Sequence, residues 1–116
     1  LQYAHARVNQ ILRKAEAEDI HWGSVTVLEE PAEQHLALLL SGFGEVVDDV
    51  AQHLQPHKLC AYLYDLAGAL ASFYEACPVL KSEGDTRASR LALCAATKQV
   101  LAKGLDLFGI DAPDRM

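Results

Sequence analysis

The chain has 116 residues, 51% of them hydrophobic, which suits one domain burying a core without covalent staples. Its three cysteines, Cys60, Cys77 and Cys94, form an odd, widely spaced set inside apolar helical patterns, so reduced core thiols in a cytoplasmic protein are expected rather than a disulfide framework. A formal net charge of −6 argues against wholesale wrapping of nucleic acid, and no apolar run approaches the roughly 20 residues of a membrane span.

From Leu1 to about Glu18, apolar residues at Leu1, Ala4, Val8, Ile11, Leu12 and Ala15 recur with the spacing of one buried helical stripe. Residues 19–30 lose that period and carry Gly23, Ser24 and the β-branched run Val25-Thr26-Val27, which predicts a loop or a short extended piece, with Trp22 as its core anchor. Pro31 suits the first turn of a second helix, because its missing N–H is one that a helix start leaves unpaired anyway. Gly42 and Gly44 break that helix, and a third runs from about Glu45 to Leu54. The longest apolar period starts near Pro56 and passes Leu59, Leu63, Leu66, Leu70 and Phe73 to Cys77, where Pro78 stops it. A polar loop from Lys81 to Gly84 follows. Asp85 is the expected N-cap of a last helix through Leu91, Cys94, Leu101 and Phe108, closed by Gly109 ahead of an irregular tail. With no strand alternation and no internal repeat, the fold class is all-α, a bundle of about five helices.

Tyr3, Arg7, Gln10 and Lys14 follow one another at steps of four, three and four, so they share a stripe opposite the apolar face of the first helix. An aromatic ring one turn from a cation can stack on an unpaired base while the cation meets phosphate; the same pattern also suits an ordinary solvated face. Tyr74, near the end of the longest helix, reads on its own as a core aromatic with its hydroxyl reaching the surface. His53 and His57 stand four apart, but Pro56 lies between them and disrupts the helix that a metal site of that spacing needs, so no metal is expected. Asp48 and Asp49 are sequence neighbours and diverge on a helix, which gives no acid–base pair a shared site. Nothing in the sequence supports a catalytic centre.

Several segments together resemble arginyl-tRNA synthetases: Leu1-Gln2-Tyr3-Ala4-His5-Ala6-Arg7, Asp65-Leu66-Ala67, Ser72 through Leu80, Arg87 through Leu93, and the close from Gly104 to Pro113-Asp114-Arg115-Met116. The resemblance covers nearly the whole chain, in the family's order and spacing. It implies the helical, DALR-type anticodon-binding domain of a class I synthetase, residues 1–116, as the C-terminal part of a longer enzyme. The catalytic domain, with ATP and magnesium, would then lie elsewhere, and this part would carry no cofactor or catalytic residue. By the same resemblance Tyr3 takes a base-stacking position, Arg7 a loop-contacting one, Tyr74 an aromatic position in the long helix, and Met116 the terminal methionine that helps enclose an unstacked base. Gln10 and Lys14 are further candidates for phosphate contact. Some relatives carry an aromatic where this chain has Pro78, so no contact is carried over there. The implied partners are the anticodon stem-loop of an arginine tRNA and the enzyme's own catalytic domain, with neither DNA nor membrane. The net negative charge motivates a rival reading, a helical protein-interaction module that touches no RNA.

Overall fold

A computed structural model describes residues 1–53 and 56–108, and builds them from five helices: α1 (Gln2–Ala17), α2 (Pro31–Ser41), α3 (Phe43–His53), α4 (Pro56–Ala76) and α5 (Gly84–Leu107). No strand occurs among these residues. The expected positions of Leu54, Gly109 and the tail with Met116 lie outside the described residues.

α5 is the central element. It packs most extensively on α1 and also touches α2 and α4, so Leu91, Ala92, Leu93 and Cys94 are buried in succession although they point in different directions around the helix. A helix apolar on several sides is one that is enclosed on several sides. α1 contributes Val8, Ile11, Leu12 and Ala15 to the core, α4 contributes Leu59, Leu63, Leu66, Leu70 and Phe73, and α2 contributes Leu36. α4 and α5 approach closely where Gly104 faces Leu63: a Cβ on Gly104 would come within 2.6 Å of both Leu63 methyl groups.

α1 ends in a Schellman motif. Asp19, at φ 57°, takes the left-handed position, the Ile20 N–H reaches the Ala15 carbonyl at 2.9 Å, and the Asp19 N–H reaches Glu16 at 3.0 Å. An aspartate tolerates this conformation better than most residues. Residues 20–30 then run without regular structure, held to α5 by Ser89, whose fully buried hydroxyl receives the N–H groups of Thr26 and Val27 and donates to the Val27 carbonyl. Trp22 is half-buried and packs against the core, as an anchor for this segment should.

Three expectations change at element boundaries. The break between α2 and α3 is Gly42 alone, and Gly44 lies inside the first turn of α3, where a glycine's cost of about 1 kcal/mol does not outweigh the packing of α3 on α4. Asp85 does not cap α5. The helix starts one residue earlier at Gly84 (φ +58°) with Glu83 before it, and Asp85 falls in the first turn, where its charge still complements the positive end of the helix. Of the three thiols expected in the core, Cys60 is only half-buried, at the start of α4.

One buried ion pair joins distant parts of the chain. Glu33, in the first turn of α2, is fully buried; its Oε1 accepts the Glu30 N–H at 2.9 Å, and its Oε2 faces Arg90 Nε of α5 at 3.3 Å. The Arg90 guanidinium also donates to the Pro78 carbonyl at 2.8 Å and to Ser82 Oγ at 2.9 Å, while the Ser82 hydroxyl donates to the Pro78 carbonyl. One arginine thus fixes the start of α2 and the α4–α5 connector against α5. At the other end of the bundle the Tyr62 hydroxyl donates to the Leu39 carbonyl, Tyr62 stacks on Phe43 with centroids 5.9 Å apart, and Lys58 pairs with Asp49 at 2.9 Å, tying α2 and α3 to α4. His53 closes α3 and His57 opens α4, so the two lie on different helices.

Two outcomes follow from these packing arrangements. Arg90→Met leaves the Glu33 carboxylate buried without its cation and is expected to cost about 3–5 kcal/mol, read as a lower midpoint in urea unfolding. Burial pushes the Cys94 thiol up to about 12 from an ordinary 9.0. Its folded pKa lies above the unfolded one, so its contribution is fully present below pH 9 and is lost as pH rises from there towards 12, where only the unfolded chain readily releases the proton. At pH 8 Cys94 should therefore react with a disulfide reagent only as fast as the chain opens, whereas half-buried Cys60 reacts sooner; labelling followed by mass spectrometry separates the two.

Candidate nucleic-acid interface

α1 and α4 face each other with hardly any close backbone approach, and a surface groove runs between them. Its central part, about 390 Å³, is lined by Tyr3, Ala6, Arg7, Gln10, Ile11 and Lys14 from α1, Tyr74 from α4 and Leu80 from the α4–α5 connector. The α1 stripe therefore points into this groove over its whole length. Tyr74 meets it from the opposite wall because the long helix passes α1 near its C-terminal end.

The exposures fit a surface that receives something. Tyr3 is 63% and Tyr74 39% exposed, while Ala6 and Ile11 beneath them are buried and form an apolar floor. The Arg7 guanidinium carbon lies 4.1 Å from the Tyr74 ring centroid, well inside cation–π range, so the two walls touch across the groove at this point. Arg7 is half-buried, and among the described residues no carboxylate pairs with it. Its charge is thus left for whatever enters.

The groove continues in two directions. Towards the connector it is lined by Lys14, Pro78, Val79, Leu80 and Lys81, which adds a second lysine beside Lys14 at an exposed lip. Towards the start of α1 it becomes apolar, with Leu1, Tyr3, Ala4, Tyr64, Ala67, Ala71 and Tyr74 around it, and Tyr64 is 63% exposed. Lys81 and Tyr64 were not anticipated as groove residues. Tyr64 could have been found, since Tyr64, Ala67, Ala71 and Tyr74 follow at steps of three, four and three and form one α4 stripe with small residues between two rings. Lys81 had no such signal, because a connector takes its place from tertiary contacts.

Of the six predicted site residues, the structure brings five together in one groove: Tyr3, Arg7, Gln10, Lys14 and Tyr74. The sixth, Met116, lies outside the described residues. The alternative of a tyrosine packed into the core does not describe Tyr74, whose ring lies on the groove wall. Among the described residues the groove is lined by rings, an amide and cations, a donor set suited to bases and phosphates.

Fold and groove together define a small helical module with an aromatic and cationic cleft on an otherwise acidic chain. The chain belongs to the DALR anticodon binding domain family, whose model matches residues 1–116. It is 65% identical to the arginine–tRNA ligase of Cutibacterium acnes and 53% identical to that of Frankia casuarinae, aligned over all of this chain and over 23% and 20% of those proteins. Among solved structures it superposes on the arginyl-tRNA synthetase of Thermus thermophilus with a TM-score of 0.89 at 41% identity, covering 99% of this chain and 20% of that one. The arginyl-tRNA synthetase of Plasmodium falciparum matches with a TM-score of 0.80 at 30% identity, over 98% of this chain and 20% of that one. The chain spans about a fifth of the length of the curated relatives it matches.

Because Tyr3 is largely exposed, Tyr3→Ala is expected to change folding stability by less than about 0.5 kcal/mol in chemical denaturation, so any loss of binding in this variant reports on contact and not on fold.

Proposed function

We propose that the chain is the anticodon-reading domain of an arginine–tRNA ligase, a single domain over residues 1–116 whose groove receives unstacked bases from the anticodon loop of an arginine-accepting tRNA. The observation that carries this reading is the convergence of Tyr3, Arg7, Gln10, Lys14 and Tyr74 on one groove between α1 and α4. Membership in an anticodon-binding family and the names of the relatives support it.

Single-stranded loops are recognised through splayed bases that stack on aromatic rings and guanidinium planes, and each such stack contributes about 1–3 kcal/mol without needing a large positive field. A chain of net charge −6 can therefore bind a loop, provided that its few cations sit where the backbone passes. Arg7, Lys14 and Lys81 lie along the groove in that manner. Gln10 and Lys14 serve the phosphates, and Met116 adds to the enclosure of a base on the strength of the resemblance.

The ligase chemistry belongs to the catalytic body of the enzyme, which uses ATP and magnesium to join arginine to the tRNA end; this domain supplies selection. A cytoplasmic setting, where tRNA is charged, is part of this reading; separately, no helix among the described residues is long and apolar enough to cross a membrane.

Titration of the isotope-labelled chain with an arginine-acceptor anticodon stem-loop tests this. Chemical-shift changes should cluster at Tyr3, Arg7, Tyr74 and Met116, with an affinity in the micromolar range or weaker, about what module-scale binding gives. Tyr3→Ala should lower that affinity about fivefold or more. Silence at these residues, together with binding of a protein partner through the first and last helices, would establish the protein-interaction reading instead.

A further inference from the structure

A guanidinium group has two flat faces and an edge of five N–H donors. In the groove, one face of Arg7 is taken up by the Tyr74 ring at 4.1 Å. No hydrogen bond or ion pair from Arg7 to another described residue holds its edge, and no carboxylate among those residues neutralises it. Tyr74, for its part, is 39% exposed against 63% for Tyr3, and the face turned towards α1 is the face the guanidinium covers. A base arriving in the groove from the α1 side therefore meets the guanidinium before it meets the Tyr74 ring.

We propose that Tyr74 is a positioning residue that acts through Arg7: its ring clamps the guanidinium flat, and the outer face of that guanidinium, not the ring, is the platform on which an unstacked nucleobase stacks. This rests on the RNA-binding reading above and assigns the division of labour within it. Three layers result, ring, guanidinium and base, with the guanidinium edge still able to donate to a neighbouring phosphate. Tyr3, on the same stripe one turn away and uncovered, remains the ring that meets a base directly.

The clamp makes a long, rotamer-rich side chain into a preorganised one, which reduces the conformational entropy lost when RNA binds. It also predicts coupling. If Tyr74 works only by holding Arg7, removing the ring and removing the charge disable the same contact, so their effects overlap. If Tyr74 stacks on a base by itself, the two losses multiply.

The test measures binding of the arginine-acceptor anticodon stem-loop to the chain at several potassium chloride concentrations. Tyr74→Leu and Arg7→Gln should each weaken binding about tenfold, and each should reduce the slope of log affinity against log salt by about 0.7, one single-strand phosphate contact. The double variant should bind no worse than either single one, and Tyr74→Phe, which keeps the ring, should restore the slope. Multiplying losses with a wild-type slope in Tyr74→Leu would overturn the proposal. A second readout needs no RNA: the Arg7 side-chain protons should be shifted upfield by the ring in the wild type and in Tyr74→Phe, and should lose that shift in Tyr74→Leu while circular dichroism stays helical. An unshifted Arg7 in the wild type would show that the clamp is absent, even with RNA binding intact. A normal upfield shift with no preference for the arginine stem-loop over an unrelated hairpin would instead sink the RNA reading, and the proposal with it.

Discussion

The groove is closed at one end because the connector between α4 and α5 is held in place, and one side chain holds it. Arg90 spends its donors on the Glu33 carboxylate, the Pro78 carbonyl and the Ser82 hydroxyl, and it does so with its side chain only 11% exposed beside a fully buried partner. A pair removed from water to this degree is costly unless every polar atom is used, which is why the capping N–H of Glu30 also lands on Glu33. The connector so fixed supplies Leu80 and Lys81 to the groove, and Val79 to the core below it. Remove that lock and the connector end of the cleft, with Leu80 and Lys81, has no defined position.

The groove's chemistry reconciles an acidic chain with the RNA partner proposed above. Its cations come from three points in the sequence that the fold places along one cleft: Arg7 and Lys14 on α1, Lys81 on the connector. The acidic residues that set the net charge lie largely elsewhere; Glu16, Glu18 and Asp19 sit at the end of α1 and beyond its groove-lining stripe, and Asp48 and Asp49 lie on α3. An overall negative field suppresses loose association with phosphate backbones of every kind. In the proposed reading, specific stacking then decides what binds, as discrimination among RNAs of nearly identical shape and charge requires.

How much of this was legible in the sequence depended on whether the relevant spacing lay within one helix. The stripe Tyr3, Arg7, Gln10, Lys14 could be read directly, because a helix of known register fixes which residues share a face. Tyr74 could be placed on the same surface only through a resemblance, since nothing local says that α4 crosses α1 at that point. The Arg90–Glu33 pair spans 57 residues and joins two elements with no shared pattern, so it was invisible. Helix starts were misjudged for a different reason. Asp85 is a favoured cap residue, but the connector's geometry is set by Arg90 and by the left-handed Gly84, and tertiary constraint overrode the local preference by one residue.

Fold and recognition are separable here to an unusual degree, and the burial pattern shows why. The rings that face the groove, Tyr3, Tyr64 and Tyr74, are exposed, whereas the atoms beneath them, Ala6, Ile11 and Leu70, belong to the core. Small or aliphatic residues at the floor let the rings stand up from a rigid surface rather than sink into it. A larger side chain at Ala6 would intrude on the cleft, and a smaller one at Ile11 would leave a gap in its floor, so the groove's shape depends on the core at these two positions. Elsewhere the core answers only to packing, as at Gly104, where the closeness of Leu63 demands the absence of a side chain whatever the groove contains. The candidate binding surface is thus a thin layer of rings and cations carried on a separately packed scaffold and joined to it through the floor residues and the Arg90 lock.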